Sequence, residues 1–226
     1  DQWTPIGSKN NPYTGTFDGD GHTISGLYVD SNDQEVGLFG CVGKKGKIQN
    51  VGVVDSYISA TGYKVCVGGV CGYNVGGTIE NCYNTGTITA TATATAGIYS
   101  SVGGVCGFSF WNIFNCYNTG KVSVTGDRAR VGGVSGFNGK DIKNCYNTGE
   151  VSVAVNGGSV GGVCGENGDY GSTITNCYNT GKVKGSGASA VGDVCGMNAN
   201  TIKNCYFLTG TADKGIGVGS SIFPNE

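Results

Sequence analysis

The hexapeptide "NCYNTG" occupies residues 81–86 and returns unchanged at 115–120, 144–149 and 176–181. A decayed copy, "NCYFLTG", begins at Asn204, so successive copies step by 34, 29, 32 and 28 residues. A near-regular period of that size marks a solenoid, whose repeats bury their apolar faces against one another. A second landmark accompanies the first: "VGGVCG" at 67–72, 102–107 and 160–165, "VGGVSG" at 131–136 and "VGDVCG" at 191–196. A third apolar piece, such as "KVSV" at 121–124 or "EVSV" at 150–153, completes each period. Val, Ile and Thr suit pleated walls, while Gly and Asn supply corners at positive φ. The glycine load argues against helix. The pattern predicts an all-β chain: a single-domain parallel β-helix, or β-solenoid, of about seven coils with three short strands per coil. Like positions would then stack about 4.8 Å apart.

Internal copies allow a column-by-column comparison. The segments "TISGLYV", "KIQNVGV", "TIENCYN", "NIFNCYN", "DIKNCYN", "TITNCYN" and "TIKNCYF" align on their isoleucine. Leu27, Val51, Cys82, Cys116, Cys145, Cys177 and Cys205 then share a column whose exchange among Leu, Val and Cys indicates an inward position. The preceding Asn50, Asn81, Asn115, Asn144, Asn176 and Asn204 are expected to stack at a corner, amide bonded to amide. Alternation turns Tyr28, Tyr83, Tyr117, Tyr146, Tyr178 and Tyr206 outward as a stripe of phenols. Such a stripe either stabilises the sheet by neighbour stacking or offers π faces to sugar rings, with Asn84, Asn118, Asn147 and Asn179 beside it.

Composition removes several classes. Lys plus Arg number 14 against 16 Asp plus Glu, a net charge of −2, which leaves nucleic acid and anionic membrane without an electrostatic argument. No apolar run approaches the roughly 18 residues of a membrane span, so no membrane insertion is expected of this segment. Without a charged start followed by an apolar run, the chain reads as an excised module, its export signal, anchor and flanking domains lying elsewhere. The 11 cysteines are odd in number, and Ser135 stands where other coils carry Cys71, Cys106, Cys164 and Cys195. Free, buried thiols fit better than disulfides. No CxxC spacing occurs and His22 is the only histidine, so neither a metal centre nor a cofactor is expected. Asp18 and Asp20 of "DGDGH" are a weak calcium candidate, and a first-coil turn is the better reading.

Two surface features stand out beside the tyrosines. "FSFWNIF" at 108–114 places Phe110 and Trp111 where other coils have polar or Gly-rich turns, and large aromatics on a loop tip mark a contact surface. "TITATATATAGIYS" at 87–100 is a low-complexity bulge on the third coil, read as an extended strand or a loop. For catalysis, polysaccharide-processing β-helices need gathered carboxylates. Glu166, in a column otherwise filled by Tyr73, Phe108, Phe137 and Met197, could pair only with Asp193, and a solvated edge is the simpler reading. No catalytic residue is assigned.

"GLFG" at 37–40, the "GGVCG"-type copies, "TIENCYNTG" and the opening "FDGDGHTISGLYV" at 17–29 together resemble the GLUG-motif repeat family over about residues 3–217. That resemblance implies a module of bacterial surface or secreted proteins, adhesin-like or from non-catalytic regions of IgA-specific metallopeptidases. The motif HExxH of such peptidases is absent, as one histidine requires. Residues 1–226 are therefore expected to form one repeat domain: an opening coil at 1–31, repeats at 32–206 and the end of the array at 207–226. The expected role is that of a non-catalytic extracellular or cell-surface adhesin or stalk, meeting a protein or glycan on a host or neighbouring cell. The alternative is a glycan-binding module using Tyr83, Tyr117, Tyr146, Tyr178 and Tyr206 with Phe110 and Trp111. A polysaccharide-processing enzyme ranks third.

Overall fold

Asparagine turns the chain at one corner of six coils. Asn50, Asn81, Asn115, Asn144, Asn176 and Asn204 have φ between 50° and 55°, the left-handed region that Asn tolerates better than other residues with a Cβ. Their amides bond between coils: Asn81 to Asn50 at 2.9 Å, Asn144 to Asn115 at 3.0 Å, and Asn176 to Asn144 and Asn204 to Asn176 at 3.2 Å. This is the corner ladder expected from the sequence. It also breaks each "TIENCYN" segment in two, and "VGGVCG" breaks likewise after its first glycine, between Ser100–Gly103 and Cys106–Ser109 for example. A coil accordingly visits four sheets instead of running as three strands.

The structure is a computed structural model that describes residues 2–93, 97–168, 171–209, 212 and 214–219. All its strands pair in parallel, coil upon coil. The first wall runs from Thr16–Asp18 to Thr201–Lys203, the second from Thr23–Ser25 to Tyr206–Phe207 and the fourth from Phe39–Val42 to Ile216–Gly219. Each of these has seven strands, so the solenoid has seven rungs and about six full turns. At about 4.8 Å per rung these span about 29 Å. The third wall is the longest. Val122–Gly132 and Val151–Gly161 cross it unbroken, whereas neighbouring coils split it into two arms, as in Tyr57–Tyr63 with Cys66–Gly68. The bulge at 87–100 belongs to this wall: Thr87–Thr93 is a strand with Ile88, Ala90 and Ala92 inward, and residues 94–96 lie outside those described. Of the expected end of the array, residues 210, 211, 213 and 220–226 also lie outside them.

The opening coil is out of register with the sequence alignment. Phe17 pairs with Ile48, not Ile24, and Thr23 pairs with Gly52, placing it in the column of Tyr83. The turn Gly19–His22 inserts two residues opposite Asn50 and Val51, and Ile24 pairs with Val53 on the second wall, so Leu27 and Tyr28 stand one wall beyond their aligned places. Tyr28 consequently pairs with Tyr57 on the third wall, and the Cys82 column begins at Val51. Residues before the first rung close over the fourth wall, with Ile6 bridging Phe39, Tyr13 bridging Val42 and the Trp3 indole N–H donating to the Leu38 carbonyl.

Ile48, Ile79, Ile113, Ile142, Ile174 and Ile202 form one fully buried column, and Val51, Cys82, Cys116, Cys145, Cys177 and Cys205 another. Asn84, Asn118, Asn147 and Asn179 are fully buried as well, which overturns their expected place beside the outward phenols. Alternation explains it: Tyr points out, so the next residue points in. The Nδ2 of Asn84, Asn118 and Asn147 donates to the next coil's Oδ1, at 2.9, 2.8 and 2.8 Å, and all four donate to the carbonyl of Gly86, Gly120, Gly149 or Gly181 in their own turns. A further ladder lines the fourth wall, where Asn74 donates to Ser109, Asn138 to Asn167 and Asn167 to Asn198.

The repeated glycines serve a different purpose from the expected one. Gly104, Gly133 and Gly162 are absent from the positive-φ positions, but a Cβ there would stand 2.2 Å from Cγ of Asn118, Asn147 or Asn179. The second glycine of "VGGV" is thus the seat of the asparagine ladder. Asn147→Ala would strip the acceptor from Asn118 and the amide donor from Gly149 inside the core. We expect it to lower unfolding stability by about 3 kcal/mol, against about 1 kcal/mol or less for the exposed Asn144→Ala. Denaturant titrations of the two variants check the ordering.

All 11 cysteines are free and buried, as the sequence indicated. Burial pushes the Cys41 and Cys66 thiols up to about 12. At pH 8 only about one such thiol in ten thousand is the nucleophilic thiolate. Iodoacetamide at that pH should leave Cys41 and Cys66 unmodified in the folded protein and alkylate both in denaturant, with mass spectrometry as the readout. Unfolded thiols ionise near 8.5, so the contribution of these two thiols to folding stability should be constant below that pH and fall as pH rises from there toward 12.

Candidate functional site

Strand alternation on the fourth wall turns Tyr73, Phe108, Phe137, Glu166 and Met197 outward in one column, as the internal alignment indicated. Phe108 stacks on Phe137 with ring centroids 4.3 Å apart, and Tyr73 meets Phe108 edge-on at 5.3 Å. Phe110 does not project freely from its loop. It folds back edge-on over Phe108 at 4.8 Å and Phe137 at 6.0 Å, although it remains 37% exposed. Trp111 is 44% exposed, and its backbone is pinned by Ser109, whose Oγ donates to the Trp111 carbonyl at 2.8 Å. Ser109 stands where neighbouring coils place ladder asparagines, so the aromatic loop coincides with a defect in the ladder.

Arg130 reaches this column from the third wall, between the inward Ala129 and Val131. Its guanidinium lies 4.5 Å from the Tyr99 ring centroid and 4.9 Å from that of Phe137, and Nε donates to Glu166 Oε2 at 2.7 Å. The two side chains are only 19% and 17% exposed, so the pair is weakly screened. Hollows lie on either side. One, of about 260 Å³, is lined by Tyr73, Tyr99, Phe108, Phe110 and Arg130 with Lys9, Lys64 and Glu35 at its rim. The other, of about 290 Å³, is lined by Phe108, Phe110, Arg130, Phe137, Glu166 and Met197. Burial raises the Glu35 carboxyl above its ordinary range, against the pull of Lys9. Arg130, Tyr99 and Glu35 were missed in the sequence because each belongs to one coil and to no repeated column.

The tyrosine stripe is real, and its geometry limits what it offers. Tyr83, Tyr117, Tyr146 and Tyr178 stack with centroids 4.7, 4.8 and 4.8 Å apart and planes within 3°. Tyr206 follows on the next rung, more than half exposed. Inner rings present edges and hydroxyls to solvent while their faces cover one another, so a sugar has no π face to stack on there. Asp18 caps the corner ladder: Oδ1 accepts from Asn50 at 2.9 Å and from the Asp20 backbone N–H at 3.0 Å, and Oδ2 accepts from Gln49 at 2.5 Å. These bonds, the Asp20 backbone one foremost, hold its carboxyl below the usual range. A calcium ion at Asp18 and Asp20 would compete with all three. Among the described residues no three His, Cys, Asp or Glu side chains are grouped as a metal would need. Glu166 is bound by Arg130 and Asp193 is wholly buried, so the two do not form an open carboxylate pair.

Removing either member of the Arg130–Glu166 pair strands the other in a largely dry position. A double-mutant cycle of Arg130→Ala and Glu166→Gln should return a coupling energy of about 1–2 kcal/mol by thermal or chemical unfolding. A value near zero would mean that the pair contributes nothing to the folded state.

Comparison with known proteins places these features. The model of the GLUG motif matches the chain four times, at residues 63–89, 98–125, 127–152 and 156–184. A protein of Evansella cellulosilytica provisionally described as a Gly-rich membrane protein is 35% identical over 75 residues, which are 33% of this chain and 9% of that protein. Halomucin of Haloquadratum walsbyi is 45% identical over 78 residues, 34% of this chain and 1% of halomucin. The chain thus spans a small part of either relative. In three dimensions it is similar to a Bacteroides ovatus protein provisionally described as an immunoglobulin A1 protease, with a TM-score of 0.63 and 24% identity over 97% of this chain and 74% of that one. That likeness bears on the fold alone.

Proposed function

We propose that this array of GLUG repeats is a non-catalytic module of a large extracellular or cell-surface protein, holding an adhesive face on a rigid column. The observation that carries the reading is the contrast between walls and face. Along the walls, asparagine ladders, apolar columns and parallel strands satisfy one another from rung to rung, leaving little to recruit for chemistry. Irregularity concentrates on one side, where three consecutive coils contribute Tyr99, Phe110 and Trp111, then Arg130, then Glu166. Exposed aromatics clustered around an oriented cation are the composition of a contact surface. The GLUG matches and the surface-type descriptions of the relatives support an extracellular location.

Catalysis gains no support from the geometry, since Glu166 is committed to Arg130 and Asp193 is inside the wall. Glycan recognition, the alternative read from the sequence, is the form of adhesion we favour, with the groove beside Arg130 offering more open aromatic surface than the stacked tyrosines.

Beads coated with the module should be retained on epithelial or microbial cell layers more than beads coated with an unrelated β-solenoid. Phe110→Ala with Trp111→Ala should reduce that retention severalfold without moving the melting temperature by more than a few degrees, as surface changes rarely do. Equal retention of module and control beads would reduce the molecule to a passive spacer.

A further inference from the structure

We infer that the groove flanking Arg130 binds an acidic oligosaccharide, its charged sugar among Lys9, Lys64 and Arg130 and the adjoining neutral sugar against Phe137 and Met197. The inference rests on the adhesive reading above and names its ligand class. The two hollows share Phe108, Phe110 and Arg130, so they are consecutive parts of one groove. At about 260 and 290 Å³ each sits just under the roughly 300–1,000 Å³ of small-molecule sites, room for a single ring apiece. Linked rings of similar size, repeated along a chain, are what a glycan provides.

Charge distinguishes the hollows. With Arg130 already paired to Glu166, the first still has an excess of one cation, Lys9 and Lys64 against the one carboxylate of Glu35. In the second, Arg130 is balanced by Glu166. An anion therefore belongs in the first hollow and an uncharged ring in the second. Arg130 is preorganised for this role: two aromatic faces and the Nε bond to Glu166 fix its plane, and among the described residues its guanidinium makes no other hydrogen bond. Its terminal nitrogens remain as a fork that matches a carboxylate or sulfate. The aromatic walls, Tyr73 and Tyr99 among them, accept the C–H faces of a pyranose.

Other polymers fit less well. An extended peptide would add itself to an open strand edge, but Cys71–Asn74 is paired on both sides, with Phe39–Val42 and Cys106–Ser109. Three cations on a chain of net charge −2 are too few to hold a nucleic-acid backbone.

The test is calorimetric titration of the intact module with three probes. These are an alternating glucuronate–N-acetylglucosamine tetrasaccharide, the same tetrasaccharide with its carboxyls reduced to alcohols, and a galacturonate tetramer. The alternating probe represents animal matrix and the homopolymer plant or microbial walls; binding of either uronate supports the inference, and the tighter one identifies the source. Carboxyl reduction should weaken binding about tenfold, as should Arg130→Gln. Lys64→Gln, on an exposed side chain, should cost about threefold without touching the fold, and Glu35→Gln should strengthen binding about threefold by removing a like charge. Lys184→Gln, on the first arm of the third wall, should change nothing. No uronate binding, equal binding of the reduced probe, or an unaltered affinity in Glu35→Gln and Lys64→Gln overturns the inference. If cell retention survives while all glycans fail, the ligand class is wrong and the adhesive reading stands; if wild-type retention is absent, that reading falls first.

Discussion

The amide ladder of Asn84, Asn118, Asn147 and Asn179 is the interaction on which the rest of the solenoid depends. A buried amide must find partners in both directions, and here it finds them in its own turn and in the next coil. That requirement fixes register, because a coil displaced by one residue would put a tyrosine ring where an amide belongs. It also dictates the glycines, since only a residue without a Cβ leaves room for the ladder at Gly104, Gly133 and Gly162. The end of the array shows the same coupling in reverse. In the last rung Phe207 replaces the asparagine and Asp193 replaces the facing glycine, so both members of the contact change together.

Much of this was legible in the sequence because repetition converts one chain into its own alignment. The isoleucine and cysteine columns, the asparagine corner and the outward column of Tyr73, Phe108, Phe137, Glu166 and Met197 could all be read by superposing copies. What escaped notice has physical causes. In the first coil the second-wall segment "TISG" looks like the first-wall "TIEN" while Phe17 holds the isoleucine place, so Leu27 and Tyr28 looked aligned with Cys82 and Tyr83 when they stand one wall further on. Asn84 and its equivalents looked like surface amides because polarity suggests solvent, whereas strand alternation had already turned them inward. The repeated glycines suggested positive φ, but a single sequence does not reveal that a side chain from another wall needs the space.

The candidate site was the least legible part for the same reason that it is a candidate. A binding face on a periodic scaffold has to break the period, and a residue that breaks it has no internal copy to vouch for it. Arg130 looks like any polar residue of an exposed strand until the coil closes and brings Tyr99, Phe137 and Glu166 around it. The Phe110–Trp111 loop was visible as an anomaly, but its two rings part company: one completes the aromatic floor of the groove and the other is left toward solvent. The tyrosine stack went the other way. It was the most conspicuous surface feature in the sequence, and its near-parallel packing covers the faces of its inner rings.

The hydrogen bonds that join one coil to the next run along the solenoid axis, which gives the column an uneven response to force. Sideways load is spread over four walls at once. Load along the axis, applied at the two ends of the chain, falls on the terminal rung alone, whose bonds open one after another. Each coil peeled away would release the 28 to 34 residues of one step, roughly 100 Å of extended chain in place of about 4.8 Å of stacked height. A column built this way is stiff against bending and yields stepwise to tension, lengthening before the contacts at its two ends are lost.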